Sequence, residues 1–213
     1  NIVTYSPHVN TLAVLYDIVP ENHQPTILNY VVNQKTIDLQ PYFMFYVLSA
    51  IEHTGQFNKL GLELMKKWEN GINRETYTLK ENWQDQTETG YGGDYSHAWG
   101  GSPLYFMSKN ILGIKPSIQG YNEIEIIPFV SENISWAKGQ IPLAQGDCIR
   151  ISWTKENNLK YSYKVGIPNN QKCFMVIPSD LRKNGFKINN KSYPNDTDRI
   201  QLISGTYEIE FNR

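Results

Sequence analysis

The residues whose types could do chemistry together are concentrated in one stretch, residues 76–101. It reads TYTLKENWQDQTETGYGGDYSHAWGG and combines carboxylates with a histidine and several aromatic rings. A carboxylate can activate water, an imidazole can bind a hydroxyl or move a proton, and flat rings stack on the apolar faces of sugars. Loops of this length inside a compact domain are usually functional or disordered, and the aromatic content argues against disorder. We therefore take this stretch as the candidate active-site loop. Its members of interest are Glu81, Trp83, Asp85, Glu88, Tyr91, Asp94, Tyr95, His97 and Trp99.

Helical periodicity predicts the elements that hold this loop between residues 5 and 114. Ser6-Pro7 is a good start for the first of five predicted helices. The segment Pro41 to Thr54 is apolar nearly all round and so must be covered on every side, whereas Gln56 to Glu69 is amphipathic. A fully buried helix beside an amphipathic one indicates two concentric layers, as in an (α/α) toroid or in a layered helical bundle. A toroid of six helical pairs needs roughly 200 residues, so if this half is a toroid, it is an incomplete one.

The period changes to two after Pro116. Short alternating segments separated by polar turns predict an antiparallel β-sandwich. The predicted fold class is therefore α+β and multidomain, with the helical part of an incomplete (α/α)6 toroid in residues 1–116 and a β-sandwich in residues 117–213. The strongest strand predictions are Asn122 to Pro128, Cys148 to Trp153, Leu159 to Val165, Cys173 to Ile177, Phe186 to Ile188 and Thr206 to Phe211.

Charge and composition exclude several classes of partner. Lys and Arg total 20 against 21 Asp and Glu, which leaves no basic excess for nucleic acid. No apolar stretch reaches the roughly 20 residues needed to cross a bilayer. The two cysteines, Cys148 on a polar strand face and Cys173 on an apolar one, support neither a disulfide nor a metal or redox role. The chain starts at Asn1 without an initiator Met or a signal peptide, and we expect it to be part of a longer protein.

Six segments in order resemble bacterial α-L-rhamnosidases of glycoside hydrolase family 78, over essentially the whole chain. The family's Ser-x-His-x-Asn-x-Leu-Ala-Val-Leu helix with its following Val-Pro, its Pro-Tyr-Phe-x-Phe-Tyr-x-Leu helix and its Trp-Glu-x-Trp segment all have counterparts here. So do its Ser/Asn-His-x-Trp/Ala motif with the following helix, its Ile-x-Pro strand and its Trp-Ala-x-Gly strand. The counterparts are Ser6 to Pro20, Pro41 to Leu48, Lys80 to Trp83, Ser96 to Trp99 with Tyr105 to Pro116, Ile126 to Pro128, and Trp136 to Gly139.

The resemblance implies a hydrolase that cleaves terminal α-L-rhamnosyl bonds with inversion, on a carbohydrate substrate and without cofactor or metal. By position, Glu81 matches the family's general base and His97 matches a histidine that contacts the sugar. Trp83 and Trp99 are candidate substrate-binding residues, although buried packing is the more usual role of Trp. Lys80 stands where many relatives carry Trp, and its positive charge would weaken Glu81 as a base unless the side chain points to solvent.

An inverting glycosidase needs a second carboxyl group, and the resemblance assigns the general acid to a part of the barrel upstream of this chain. We therefore expect the 213-residue chain alone to be inactive. We also expect bare apolar helix faces around Phe43 to Leu48, through which the chain could associate with itself.

Two alternatives stay open. The chain could belong to another (α/α)-barrel glycosidase with a different sugar preference, or act as a non-catalytic module whose sandwich binds glycan or braces the barrel. Bracing is favoured over binding, because Trp153, Phe174 and Val176 are predicted to lie in the core.

Overall fold

A computed structural model describes residues 6–33, 38–83, 94–117, 120–144, 146–157 and 159–212. The chain divides into two compact units between Tyr105 and Phe106. The first unit is mainly helical and the second mainly β. Within the described residues, no helix combines the length and the apolar character that crossing a membrane requires.

Three helices open the first unit: α1 (Pro7–Leu15), α2 (Gln24–Asn33) and α3 (Pro41–His53). Pro7 occupies the first turn of α1, as predicted, but the Ser6 side chain makes no capping hydrogen bond. In α3, Met44 and Leu48 are buried, while Tyr42 is 41% and Phe45 38% exposed. The helix is thus not covered on every side in this chain, in agreement with the bare apolar face expected around Phe43 to Leu48. The helix has one buried face and one exposed aromatic face.

The fourth predicted helix, Gln56 to Glu69, is divided into three short pieces. They are a π-helical turn (Phe57–Gly61), an α-helical turn (Leu62–Met65) and a second α-helical turn (Trp68–Gly71). A Cβ at Gly61 would lie 2.7 Å from the Phe57 ring, so this close approach needs glycine. The predicted amphipathic character is confirmed, because Leu64 and Trp68 are buried while Lys66 and Glu63 form an exposed ion pair of 2.9 Å.

A two-stranded hairpin, β1 (Ile72–Asn73) and β2 (Thr78–Leu79), leads from this helical run into the candidate loop. The candidate loop ends in a 3-10 turn (Ala98–Gly101), and an α-helical turn (Ser102–Phe106) and a π-helical turn (Met107–Ile111) follow it. This last helical run ends before Gly113, whose φ of +75° suits glycine.

Two sheets make up the second unit. Six strands in the order β10-β9-β12-β7-β6-β5 form one sheet, and four in the order β11-β8-β4-β3 form the other. The bounds are β3 Ile114–Ser117, β4 Gly120–Ile126, β5 Trp136–Pro142, β6 Cys148–Glu156, β7 Lys160–Ile167, β8 Lys172–Val176, β9 Phe186–Ile188, β10 Lys191–Tyr193, β11 Arg199–Leu202 and β12 Gly205–Asn212. A helical turn, Ser179–Arg182, joins β8 to β9.

Among the described residues, all strand pairs but one are antiparallel, in agreement with the predicted sandwich. The pair β4–β8 is parallel, with Ile124 opposite Cys173. The chain reaches β8 only after passing through β5, β6 and β7 in the other sheet, and this long crossover allows the parallel pairing. The predicted sandwich is thus confirmed with one parallel pair in its smaller sheet.

The core of this unit contains Trp153, Tyr163 and Phe211, with Cys173 and Met175 from the smaller sheet. Burial raises the pKa of the Cys173 thiol to about 12. Trp153 is 1% exposed, as predicted, and its indole N–H donates to the Ile111 carbonyl over 2.8 Å.

The prediction that Phe174 and Val176 are core residues is wrong. Strand alternation places Cys173 and Met175 on the buried face, so their neighbours point outward and are only half-buried. Two cationic groups lie near the Phe174 ring: Lys172 Nζ is 4.8 Å and Arg199 Cζ is 4.2 Å from the ring centroid.

Candidate functional site

Backbone hydrogen bonds bring the two ends of the candidate loop together. The His97 amide donates to the Leu79 carbonyl over 2.8 Å, and the Glu81 amide donates to the Asp94 carbonyl over 2.9 Å. The Thr78 hydroxyl also donates to the Tyr95 carbonyl. Residues 78–81 and 94–97 therefore run side by side, which fixes the backbone on both sides of the site.

The hairpin that precedes Glu81 is held by further hydrogen bonds. The Asn73 side-chain oxygen accepts hydrogen bonds from the amides of Glu75 (2.9 Å) and Thr76 (3.2 Å), a side-chain turn that Asn favours. The Lys80 amide donates to the Gly71 carbonyl over 2.8 Å. The residue before Glu81 is thus held by one neighbouring segment and Glu81 itself by another.

Gly100 packs the far end of the loop against the backbone of Lys80. A Cβ at this position would lie 2.7 Å from the Lys80 carbonyl oxygen, a contact that no larger residue could make without movement. The Gly100 carbonyl also accepts a hydrogen bond of 2.7 Å from the buried Trp68 indole. The turn that carries Trp99 is therefore packed directly against the backbone at Lys80, the residue before Glu81.

Three titratable side chains come together where the segments 78–81 and 94–97 run side by side. The Asp94 amide donates to Glu81 Oε2 over 3.0 Å, and His97 Nδ1 lies 3.9 Å from Asp94 Oδ2. The ligand atoms of Glu81, Asp94 and His97 all lie within 4.8 Å of one another. Glu81 is half-buried, and the His97 side chain is 23% exposed while that of Asp94 is 76% exposed. Sequence position alone placed these residues in one loop, and the structure brings them into one cluster.

The spacing restricts what this cluster can do. Carboxyl groups that act as acid and base in an inverting glycosidase are about 6.5–9.5 Å apart, and those of a retaining enzyme about 5–5.5 Å. One carboxylate oxygen of Glu81 lies within 4.8 Å of one of Asp94, well short of the inverting separation. The cluster can therefore hold one carboxylate ready to accept a proton, with an imidazole beside it, but does not itself contain an acid–base pair of inverting geometry.

These three groups also lie close enough to share a cation. Exposed acidic groups often lie this close together without binding a metal, and one Glu81 oxygen already accepts a hydrogen bond from the Asp94 amide. We treat the cluster as an acid–base arrangement.

Trp99 forms an exposed aromatic surface with the face of α3. Its ring is 59% exposed, stacks on Tyr42 with centroids 4.3 Å apart, and meets His97 edge-on at 5.7 Å. Phe45 approaches Tyr105 at 5.9 Å on the same side of α3. The sequence does not single out Tyr42, although it precedes the bare helix face expected around Phe43 to Leu48, and the structure stacks it on Trp99.

Trp83 occupies a packed position. Its indole N–H donates to the Leu39 carbonyl over 2.7 Å, and its ring meets Trp68 edge-on at 5.1 Å. Its amide donates to Gln40 Oε1 over 3.1 Å. These contacts suit the packing role that was weighed against sugar binding.

Lys80 does not point into open solvent, since it is only 8% exposed. It lines a cavity of about 640 Å³ together with Glu69, Glu75, Arg74, Trp83 and Tyr95. The condition under which Lys80 would leave Glu81 unaffected, a side chain directed to solvent, is therefore not met. Lys80 instead borders a cavity that also has acidic residues in its wall. Asp85, Glu88 and Tyr91, which were singled out in the same loop, lie outside the described residues.

Comparisons with known proteins agree with the resemblance. Residues 113–191 match the family model of the bacterial α-L-rhamnosidase C-terminal domain. An α-L-rhamnosidase of Alteromonas sp. (strain LOR) is 26% identical over 182 residues, which is 79% of this chain and 20% of that protein. The resemblance to bacterial α-L-rhamnosidases is thereby confirmed.

Solved structures show the same fold. The α-L-rhamnosidase of Dictyoglumus thermophilum matches all of this chain with a TM-score of 0.75 at 20% identity, over 26% of its own length. That of Streptomyces avermitilis, solved in complex with L-rhamnose, matches 96% of this chain with a TM-score of 0.65 at 17% identity, over 21% of its length. The chain thus spans about a fifth to a quarter of these relatives, and its helical unit is compatible with part of a toroid.

Proposed function

We propose that this chain, similar to α-L-rhamnosidases along most of its length, is the C-terminal part of a glycoside hydrolase that cleaves terminal α-L-rhamnosyl bonds with inversion. Glu81 is the general base of this reaction. The observation that carries the proposal is the position of the Glu81 carboxylate. It is oriented by the Asp94 amide and lies beside His97, and the His97 ring in turn meets the exposed Trp99 ring.

Glu81 has the features that a water-activating base requires. One oxygen accepts the Asp94 N–H bond, so the carboxylate has a fixed orientation, and among the residues that the structure describes no hydrogen bond engages its other oxygen, which would face the water. In the reaction the water would lose a proton to this carboxylate as its oxygen attacks the anomeric carbon, on the face opposite the leaving group. Since Asp94 is too close to serve as the partner, the general acid is a carboxyl group of the longer protein.

His97 and Trp99 would contact the sugar. The imidazole is partly exposed beside Glu81, where it can exchange a hydrogen bond with a sugar hydroxyl. The Trp99 ring offers an exposed face next to it, suited to the apolar side of a deoxy sugar such as rhamnose. Trp83, the third proposed substrate-binding residue, would act mainly by holding this frame in place.

Substitution in the longer enzyme tests the proposal. Glu81→Gln preserves size and the hydrogen bond from Asp94 but removes the basic oxygen, so kcat on an aryl α-L-rhamnoside should fall by roughly 100-fold or more. Glu75→Gln, in the exposed turn of the same hairpin, is the matched control and should retain activity. Near-normal kcat in Glu81→Gln would refute the general-base assignment.

The same preparation separates the proposal from a glycosidase of different sugar preference. Among aryl glycosides of L-rhamnose, D-glucose, D-galactose and L-arabinose, we expect hydrolysis of the rhamnoside to dominate. Preferential cleavage of another sugar would retain the hydrolase but reject the substrate.

A further inference from the structure

An open groove with a largely apolar lining and three cationic side chains crosses the outward-facing side of the six-stranded sheet. It has a volume of about 750 Å³, within the usual range of ligand sites. The outward-facing side chains of β5, β6, β7 and β12 line it. The residues that matter for the argument are Trp136, Lys138, Gln140, Arg150, Lys164 and Thr206.

The register of the sheet explains why these side chains lie together. Lys138 pairs with Ser152, and Ser152 pairs with Lys164 on the next strand. Arg150 lies one position along the same face, opposite Gly166. Because Gly166 has no side chain, the sheet surface is open beside Arg150, where a Cβ would come no closer than 3.6 Å.

Trp136 sits at the start of the edge strand β5 and is 66% exposed. Trp153, in the same sheet, is fully buried and hydrogen-bonded. This indole adds a large apolar surface to the wall of the groove. Its flat face is suited to a sugar ring.

The charge of the lining indicates the kind of ligand. Three cationic side chains, Lys138, Arg150 and Lys164, line the groove, and no acidic side chain among the described residues does. Two of the three have partners outside the lining. Lys164 Nζ lies 3.9 Å from Glu208 Oε1 and Arg150 Nη1 lies 3.7 Å from Asp147 Oδ1, both between exposed groups where such pairs are weak.

We propose that this groove binds an acidic oligosaccharide, with a sugar ring against Trp136 and carboxylate or sulfate groups toward Lys138, Arg150 and Lys164. Hydrogen-bonding groups for the hydroxyls of the oligosaccharide come from Gln140, Ser152 and Thr206. This is a binding site of the sandwich unit, separate from the Glu81 cluster. It differs from the bracing role that the sequence favours for this unit.

Calorimetric titration of the 213-residue protein tests the proposal. The probes are an oligogalacturonate, a sulfated galactan oligosaccharide and a neutral galactan oligosaccharide of matched length. At least one acidic probe should bind more tightly than the neutral one, and its affinity should fall as salt is raised from about 0.05 to 0.5 M. Comparison of the two acidic probes identifies carboxylate or sulfate as the preferred group.

Three variants assign the binding to the groove. Trp136→Ala should weaken binding by roughly threefold to tenfold, and Lys138→Ala should weaken the acidic probe while reducing its salt dependence. Lys187→Ala is the matched control, because this lysine is exposed on the same sheet but outside the groove, and it should bind normally. Unchanged circular dichroism would show that each variant is folded.

Three binding results would contradict the proposal. Absence of binding to both acidic probes, equal binding of the neutral probe, or full affinity in Trp136→Ala would each overturn the proposal. Glu81→Gln should bind the acidic probe as the parent does, so failure of the rhamnosidase proposal and failure of this one are distinguishable.

Discussion

Glu81 and Asp94 hold each other through two hydrogen bonds: the Glu81 amide donates to the Asp94 carbonyl (2.9 Å), and the Asp94 amide donates to the Glu81 carboxylate (3.0 Å). Asp94 thus orients Glu81 with its backbone, while its own carboxylate faces His97. The relationship assigns the two acidic residues different roles. Glu81 presents a fixed oxygen to the reaction, and Asp94 supports it.

Asp94→Asn tests this division in the longer enzyme. The substitution keeps the backbone pair and removes only the charge beside His97, so we expect a loss in kcat of about tenfold or less. The loss in Glu81→Gln should exceed it by at least another tenfold. Rates measured at saturating aryl rhamnoside decide the matter, and equal losses in the two variants would identify Asp94 as a second candidate for the base.

Trp99→Ala should act mainly on substrate binding. The ring is exposed and rests on Tyr42, so its removal deletes a sugar contact with little effect on packing. We expect KM to rise roughly threefold to tenfold, with Trp99→Phe intermediate. An unchanged KM in Trp99→Ala would show that the ring does not touch the sugar.

Trp83→Phe should act on stability instead. It removes the N–H bond to the Leu39 carbonyl and alters the edge-on contact with Trp68. A cost of about 1–2 kcal/mol in the free energy of unfolding follows, a decrease in Tm of about 2–8 °C for a protein of this size. Thermal denaturation of Trp99→Phe provides the control, and the assignment is wrong if both variants melt like the parent.

The 213-residue chain by itself should not hydrolyse rhamnosides. Glu81 and Asp94 are too close to act as acid and base, so the described residues of this cluster supply at most one of the two carboxyl functions. The purified chain should release no product above the blank from an aryl α-L-rhamnoside in a prolonged assay. Sustained turnover that is lost in Glu81→Gln would show that the acid lies within these 213 residues.

Much of the architecture could be predicted from periodicity. The helix at Pro41 and the strand Phe186–Ile188 appear at or near the predicted bounds, because spacing of apolar residues reports which face is buried. The parallel β4–β8 pair could not be predicted, since strand patterns do not specify partners. A bare face on α3 was expected, but which of its aromatic residues are exposed could not be predicted, because Tyr and Phe suit a core and a surface equally well.

The sequence identifies candidate residues for the site but does not predict how their side chains are arranged. Glu81 and His97 were named from the sequence, yet the Asp94 amide that orients Glu81 is a backbone group and leaves no mark in residue types. Trp83 and Trp99 look alike in sequence and differ in the structure, one hydrogen-bonded and packed, the other exposed. Exposure of Trp136 on the sheet was likewise decided by its register.

Chemical rescue of Glu81→Ala in the longer enzyme is the most direct measurement of the central claim. Removing the carboxylate leaves space at the position of the attacking water, so azide should restore turnover of an activated aryl α-L-rhamnoside and form the β-configured rhamnosyl azide. The parent enzyme should release β-L-rhamnose first, as judged by NMR of the anomeric proton. Rescue with inverted product is the result that this account predicts. An α-configured first product from the parent, or a Glu81→Ala variant that is fully active without azide, would contradict it.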